Sequence, residues 1–410
     1  MIGWTIRLAC LCSAVVAMSS CAPSVPPELC LTQLDVGQGD SLLLELPGGE
    51  VWLVDGGGFA GGEGAVGRRS VLPELRRRGI ERIDRLVISH ADADHYEGLF
   101  ALPQVIEVSE VWMPTRSAGP RFRRLITLLR RAGSELVVLD ESPASFSAPA
   151  PLEARLLHPT RAWWDGFGED ASKNNNSIVF GLSLGQVDFL LTGDLEAAGE
   201  QWLLDRGILR DYEVLKLGHH GSRSSSSGPF LDAVRPLVSL AGTGRDNRYG
   251  FPHASVRRSV LTRGSSLLWS GRHGTVRVCT DGWSLRVEQL VDGRSRTELG
   301  HWTPQQLLDR NAETAQLKGT IPAAEGRAVL SSGKLLAPPK GRAVRGRSAR
   351  RGLRGLTSGG GRSVKRRKRS QRSKPGASKS QEQGVPSPSL IDERTWQRRR
   401  KARNRFRPGW

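Results

Sequence analysis

Four side chains that can bind a metal ion lie close together in the segment His90-Ala91-Asp92-Ala93-Asp94-His95. Neutral imidazole and carboxylate groups are suitable ligands for Zn²⁺ or Mn²⁺. The apolar run 85–89 directly before this segment predicts a β-strand. A strand that ends in such a loop can turn His90 and Asp92 toward one point and Asp94 and His95 toward another. The spacing therefore predicts a metal centre at the end of a strand.

Two later segments place more candidate ligands at strand ends. In Leu190-Leu191-Thr192-Gly193-Asp194 an apolar strand delivers one carboxylate just before a helix. A single bridging carboxylate of this kind can hold two cations about 3.5–4 Å apart. In LKLGHHGS, His219 and His220 follow another apolar run. His158 also ends a predicted strand, and for this residue a structural role is as credible as a ligand role.

The elements that must position these residues are predicted strands and helices, which do not alternate strictly along the chain. Strands come in runs with helices between them, which favours two packed sheets with helices outside, an α/β fold. The predicted strands are 30–36, 41–46, 51–54, 85–89, 110–113, 136–139, 152–157, 177–184, 187–191, 213–217, 237–240, 275–280 and 283–289. The predicted helices are 70–78, 121–131, 196–206, 229–234 and 253–262.

The N-terminal residues 1–21 have the composition of a signal peptide. One basic residue is followed by an apolar run and then by small residues, and Cys21 resembles a bacterial lipoprotein cleavage site. Export is therefore expected, either with a lipid anchor at Cys21 or with ordinary cleavage nearby. Residues 22–28 are predicted to form a linker. No other stretch approaches the ~20 apolar residues of a membrane span. Cys30 and Cys279 would remain after processing, either as a disulfide or as two buried thiols.

The net charge of +19 is concentrated at the C-terminus. Residues 301–410 hold 28 Lys and Arg against 6 Asp and Glu, whereas the other 300 residues hold 32 against 35. Residues 310–410 are rich in Gly, Ser, Pro, Lys and Arg, a composition that predicts a disordered basic tail. Such a tail suits contact with nucleic acid or another polyanion, or it is simply a solvated tail.

Several motifs in order resemble the metallo-β-lactamase domain of the ComEC family of DNA-uptake competence proteins. They are LDVGQGDS at 34–41, VDGG at 54–57, SHADADH at 89–95, NNS at 175–177, LLTGD at 190–194 and LKLGHHGS at 215–222. The resemblance covers residues 29–290 and implies an αββα sandwich, with a domain at 29–295. The membrane channel of the relatives is absent from this chain. Phe251 stands where relatives often have His, and Tyr96-Glu97-Gly98 replaces a more usual apolar-Gly-Gly.

The resemblance also implies a role for each residue of the site. It implies two divalent ions, Zn²⁺ or Mn²⁺, with His90 and Asp92 at the first and Asp94, His95 and His219 at the second, bridged by Asp194. His220 would contact the scissile group, although the family pattern leaves open which of His219 and His220 ligates. Asp55 would orient the metal loop by hydrogen bonds, and Asp40, Asn176 and Ser222 would contact substrate at the mouth.

These features predict an exported hydrolase that uses a metal-bound hydroxide. A phosphodiesterase or nuclease is the first hypothesis, because metal ions can offset the charge that builds on a phosphodiester. Hydrolysis of another ester or amide, such as a phosphocholine or cell-envelope phosphodiester, is the second. A non-catalytic protein that binds polyanions is the third.

Overall fold

The computed structural model describes residues 28–58, 61–114, 119–139, 146, 148–167, 172–291 and 295–310. The chain divides into two units, Met1–Gly341 and Arg342–Trp410, and all described residues lie in the first. The predicted signal peptide, almost all of the linker and the basic tail beyond 310 lie outside the described residues. Within the described ranges, no helix is long and apolar enough to cross a membrane.

The strands of the described ranges form two mixed sheets. In chain order they are β1 Leu29–Gln33, β2 Leu42–Glu45, β3 Val51–Val54, β4 Arg82–Val87, β5 Glu107–Met113, β6 Glu135–Val138, β7 Glu153–His158, β8 Val179–Leu184, β9 Val187–Leu191, β10 Val214–Lys216, β11 Val238–Ala241, β12 Ser266–Trp269, β13 Thr275–Thr280, β14 Leu285–Val291 and β15 Ser295–Trp302. The nine-stranded sheet has the order β15-β14-β13-β1-β2-β3-β4-β5-β6, and the six-stranded sheet has the order β12-β11-β10-β9-β8-β7.

Helices cover the outer face of each sheet. They are α1 Leu72–Arg77, α2 Ala93–Tyr96, α3 Pro120–Arg131, α4 Arg161–Gly166, α5 Ala197–Asp205, α6 Gly228–Val234, α7 Ala254–Thr262 and α8 Ser270–His273. One apolar cluster joins α1 and α3 to the larger sheet, and another joins α5, α6 and α7 to the smaller one.

A third apolar cluster lies between the two sheets. Successive side chains of a strand point to opposite faces, so alternate residues of each strand reach this layer. Leu42 and Leu44 of β2 belong to it, and Leu43 between them belongs to the helix-covered cluster instead. Phe189 and Leu191 of β9 meet them from the other sheet, and Leu190 again faces the helices. The layers follow the order helix, sheet, sheet, helix, so the predicted αββα sandwich is confirmed.

The folded part of the chain continues beyond the predicted boundary at 295. The strand β15 and the helical residues 304–310 follow, and neither was predicted. Leu307 is buried, and Nη1 of Arg310 lies 2.6 Å from Oε1 of the buried Glu213. The strand β12 and the short helix α4 were also missed, since both are too short to show a clear apolar period.

Cys30 and Cys279 form a disulfide between β1 and β13. The two residues are direct partners in the antiparallel register of these strands. The structure therefore decides between the two alternatives that the sequence left open for this pair.

Truncation on either side of residue 310 should separate the fold from the tail. A chain that ends after 310 should keep the unfolding temperature of the full chain, because it keeps every described element. A chain that ends after 294 loses β15, Leu307 and Arg310. Glu213 then stays buried without its partner, which lowers the free energy of unfolding by about 3 kcal/mol or more. Thermal unfolding monitored by circular dichroism would measure this, and equal unfolding temperatures for the two truncations would contradict it.

Candidate metal centre

Four strand ends deliver the candidate ligands to one edge of the sandwich. Asp55 follows β3, and His90 follows β4, which runs parallel to β3. Asp194 follows β9, and His219 and His220 follow β10, which runs parallel to β9. The carboxyl ends of parallel strands meet at the same edge of a sheet, so residues far apart in sequence come together here. The turn at Gly193 is tight, with a φ of 52°, and a Cβ atom on it would lie 2.9 Å from Cβ of Ser177.

Asp194 lies at the centre of the cluster. Its Oδ2 atom is 3.2 Å from Nε2 of His95 and 3.4 Å from Nε2 of His220. The same oxygen is 3.9 Å from Nε2 of His90 and 3.9 Å from Nε2 of His219. A single carboxylate oxygen thus faces four imidazoles, as a bridging ligand would.

Two subsets of residues share this carboxylate. One subset consists of Asp94, His95 and His220. In it, Oδ2 of Asp94 lies 3.3 Å from Nε2 of His220, and Nε2 of His95 lies 3.2 Å from Oδ2 of Asp194. In the other, Nε2 of His90 lies 3.8 Å from Oδ2 of Asp92. The structure brings together the predicted residues of both metal sites around Asp194.

The buried polar atoms of the cluster fit a cation. Among the described residues, Nε2 of His90, His95 and His220 and Oδ1 of Asp194 are buried without a hydrogen bond. Burying an unsatisfied polar group costs free energy, so such atoms need a partner. Burial alone would lower the pKa of His95, but the carboxylates of Asp194 and Asp55 raise it well above its usual value. The carboxylates around the ring thus favour positive charge at this point.

Asp55 holds the loop that carries the ligands. Its Oδ1 accepts a hydrogen bond of 2.8 Å from the amide of Ser89, and its Oδ2 accepts one of 2.6 Å from the Ser89 hydroxyl. The same Oδ2 lies 2.8 Å from Nδ1 of His95. A carboxylate on Nδ1 sets the tautomer that leaves Nε2 free for a metal. Asp55 is therefore a positioning residue, in the place that the resemblance implied.

Asp40 is buried rather than at the mouth. Only 1% of it is exposed, and its Oδ1 lies 3.4 Å from Nδ1 of His220. Its Oδ2 lies 2.6 Å from Nζ of Lys216, which is also 1% exposed. Burial would raise the pKa of Asp40, but Lys216 and His220 together hold it below its usual value. The geometry thus favours a role beneath His220 over the predicted substrate contact. The sequence signal that was missed is a lysine inside the apolar run 214–217.

The two tandem histidines have different surroundings. The Nε2 atom of His220 faces Asp94 and Asp194, and 1% of its side chain is exposed. His219 has 26% of its side chain exposed, and its Nδ1 lies 3.1 Å from Oε1 of Glu196. The geometry therefore favours His220 over His219 as the ligand beside Asp94 and His95, which is the reverse of the predicted preference. Both residues have left-handed backbones, with φ of 45° and 54°, and strain of this kind clusters at functional sites.

The other predicted site residues lie around this core. His158 Nε2 lies 2.7 Å from the carbonyl oxygen of Asn175, and burial lowers the pKa of His158 to about 4. This contact occupies a ring nitrogen and favours the structural role. The side-chain oxygen of Asn176 accepts a hydrogen bond of 2.7 Å from Trp163 Nε1. The hydroxyl of Ser222 lies 3.0 Å from that of Ser224.

Three polar neighbours of the site were missed in the sequence. Nζ of Lys173 lies 2.9 Å from Oδ1 of Asp92. Nδ2 of Asn174 and Oε1 of Glu196 both lie beside Nδ1 of His219, at 3.3 Å and 3.1 Å. The polar run 172–176 that carries Lys173 and Asn174 was the available signal, but nothing local ties it to Asp92 or His219.

Comparison with known proteins agrees with this geometry. A family model for the metallo-beta-lactamase superfamily matches residues 34–244. The chain is 27% identical over 279 residues to ComE operon protein 3 from Bacillus subtilis, covering 65% of this chain and 35% of that protein. It is 31% identical over 274 residues to Recombination protein 2 from Haemophilus influenzae, covering 66% and 30%. It is 29% identical over 274 residues to Competence protein ComA from Neisseria gonorrhoeae, covering 64% and 34%.

The chain spans about a third of the length of these relatives. The similarity to them confirms the predicted resemblance to the ComEC family. With its His and Asp cluster at the edge of an αββα sandwich, the chain belongs to the metallo-beta-lactamase superfamily.

Proposed function

We propose that this chain is a phosphodiesterase of the nuclease type with two divalent metal ions. The observation behind the proposal is the pair of ligand subsets that share Oδ2 of Asp194. Zn²⁺ or Mn²⁺ ions bound there would lower the pKa of a water molecule and offset the negative charge that builds on a phosphodiester. The first subset would consist of His90 and Asp92, and the second of Asp94, His95 and His220.

The residues around these ligands hold them in place. Asp55 fixes the ring of His95 through Nδ1. Asp40 faces Nδ1 of His220 in the same manner, so that both histidines direct Nε2 toward Asp194. Carboxylates behind metal-binding histidines also raise the basicity of the ligand.

His219 would be the group that contacts the scissile phosphodiester. Its partly exposed ring has Glu196 on Nδ1, which leaves Nε2 for the substrate. Glu196 would orient the ring through Nδ1 while Nε2 donates a proton to the leaving oxygen. This exchanges the roles that the resemblance implied for His219 and His220.

Nucleic acid is the substrate class that the relatives support. One of them is named a competence protein, one a ComE operon protein and one a recombination protein. The +22 charge of residues 301–410 adds an attraction for polyanions that is independent of sequence. Cell-envelope phosphodiesters have the same reacting group and are the substrates to compare.

Export to an oxidising compartment is part of the proposal. The segment 1–21 has the layout of a signal peptide, and Cys21 is placed for a lipid anchor. The Cys30–Cys279 disulfide supports this location, because disulfides persist mainly outside the reducing cytosol.

The proposal is tested on the purified full chain by removing and restoring metal. Chelation should abolish hydrolysis of single-stranded DNA, duplex DNA or RNA, and Mn²⁺ or Zn²⁺ should restore it. A phosphocholine ester serves as the comparison substrate, and metal content is measured in parallel. Hydrolysis that survives complete chelation would disprove the metal mechanism. A metal-loaded chain that cleaves the phosphocholine ester and no nucleic acid would disprove the nuclease assignment.

A further inference from the structure

A loop at residues 244–253 is fixed against the turn that carries the tandem histidines. The amide of His253 donates a hydrogen bond of 2.8 Å to the carbonyl of Gly221. Asn247 braces the loop from within, since its Oδ1 accepts from the amide of Phe251 at 2.8 Å and its Nδ2 donates to the Phe251 carbonyl at 2.8 Å. These bonds tie the backbone of the loop at Phe251 and His253 to the turn that carries the histidines.

Aromatic rings of this loop continue outward from the metal centre. The Phe251 ring lies 6.4 Å from the ring of His220, at 28° between planes, and 5.7 Å from the ring of His219. The Tyr249 ring stacks on Phe251 at 5.4 Å and 18°. The planes of His220, Phe251 and Tyr249 are thus roughly aligned, and the series leads from a buried ligand to the surface. We call Tyr249 and Phe251 the aromatic ladder.

The outer end of the ladder faces solvent beside positive charge. Tyr249 is 43% exposed. The guanidinium of Arg248 lies 5.0 Å from the Tyr249 ring centre and donates to its hydroxyl at 2.9 Å. The exposed ring and the guanidinium over it offer stacking surfaces, and the guanidinium also offers a phosphate contact.

These features match the chemistry of a nucleotide whose base is not paired. A base stacks on aromatic side chains or on the plane of an arginine, and this happens in single strands because duplex bases are already stacked on each other. A base on the ladder would place its adjoining phosphodiester toward His219, which also contacts Phe251.

We propose that the aromatic ladder of Tyr249 and Phe251 is a base-stacking subsite, which holds one unpaired nucleobase next to the phosphodiester that reacts. The proposal rests on the phosphodiesterase function above and specifies its substrate as single-stranded nucleic acid. Phe251 is the inner support of the stack, and Tyr249 makes the direct contact with the base.

The test compares two ligands that differ only in the base. The full chain, treated with chelator, is titrated with a nucleoside monophosphate and with ribose 5-phosphate, and the dissociation constant Kd is measured by calorimetry. These small anions carry the same phosphate, so the basic tail affects both alike. Tyr249→Ala should raise the Kd of the nucleotide by about 5- to 160-fold, from the usual contribution of one stacked base. The Kd of ribose 5-phosphate should not change.

Matched variants separate stacking from other effects. Tyr249→Phe keeps the ring and should bind the nucleotide like the unaltered chain, whereas Tyr249→Leu should behave like the alanine variant. Trp283 is 54% exposed at the turn between β13 and β14, so Trp283→Ala removes an exposed ring away from the ladder and should have no effect.

Binding and hydrolysis report on different proposals. Unchanged nucleotide Kd in Tyr249→Ala, an equal loss for both ligands, or no nucleotide binding by the unaltered chain would overturn the subsite. If nucleotide binding depends on Tyr249 but no phosphodiester is hydrolysed with metal restored, the subsite stands and the proposed enzymatic function fails. If both hold, Tyr249→Ala should raise KM for single-stranded DNA, whereas Trp283→Ala should leave both KM and kcat unchanged.

Discussion

Asp194→Asn is expected to abolish hydrolysis and to remove bound metal while the fold persists. Asparagine has nearly the same shape but lacks the charge that Oδ2 presents to four imidazoles. Loss of a group behind a metal ligand lowers affinity or activity about 10- to 100-fold, so loss of the bridging ligand itself should exceed about 100-fold. The hydrogen bond from the Asp194 amide to Ser177 Oγ, at 3.0 Å, does not depend on the side chain and should remain.

The measurements are metal content, rate of phosphodiester hydrolysis and unfolding temperature. Asp205→Asn, an exposed change at the end of α5, is the matched control and should leave all three unchanged. In chelator, Asp194→Asn should unfold at a lower temperature, because the buried His95 and His220 lose the carboxylate that raises their pKa. Full activity with metal bound in Asp194→Asn would rule out a shared carboxylate as the centre of the site.

Lys216→Met is expected to destabilise the fold strongly. The change leaves the Asp40 carboxylate buried, 1% exposed, without the ammonium that lies 2.6 Å from it. Removing one partner of a buried ion pair costs about 3–5 kcal/mol of unfolding free energy. The unfolding free energy should fall by this order in denaturant titrations.

The double variant Asp40→Asn with Lys216→Met separates stability from metal binding. It removes both charges, so the unfolding free energy should recover most of the loss. Metal affinity should stay about 10- to 100-fold below that of the unaltered chain, because His220 no longer has a carboxylate at Nδ1. Recovery of both properties would show that the pair only supports the fold. Failure of the double variant to recover stability would show that Asp40 and Lys216 are not a pair.

Much of the metal centre was predictable because its ligands follow local strands. His90 to His95 and Asp194 each come directly after an apolar run, and the carboxyl end of a strand is a local property of the sequence. The runs of strands with helices between them predicted two packed sheets with helices outside. The αββα sandwich itself was implied by the resemblance that the order of the motifs carries.

The tertiary structure alone decided the features that depend on pairing across long distances. The register of β1 on β13 placed Cys30 opposite Cys279, and neither strand contains information about its partner. Lys216 and Asp40 meet because β10 and the turn before β2 lie at the same edge of the sandwich, so the apolar run 214–217 predicted only a strand.

The difference between His219 and His220 depends most clearly on the tertiary structure. Both follow the same strand end with the same side chain, so type and spacing cannot distinguish them. Consecutive left-handed backbones, with φ of 45° and 54°, aim His220 into the buried carboxylates and His219 toward Glu196 at the surface. That conformation is strained for residues with a Cβ atom. It persists through contacts from other segments, such as the hydrogen bond from the His219 amide to the Gly193 carbonyl, and those contacts exist only in the folded chain.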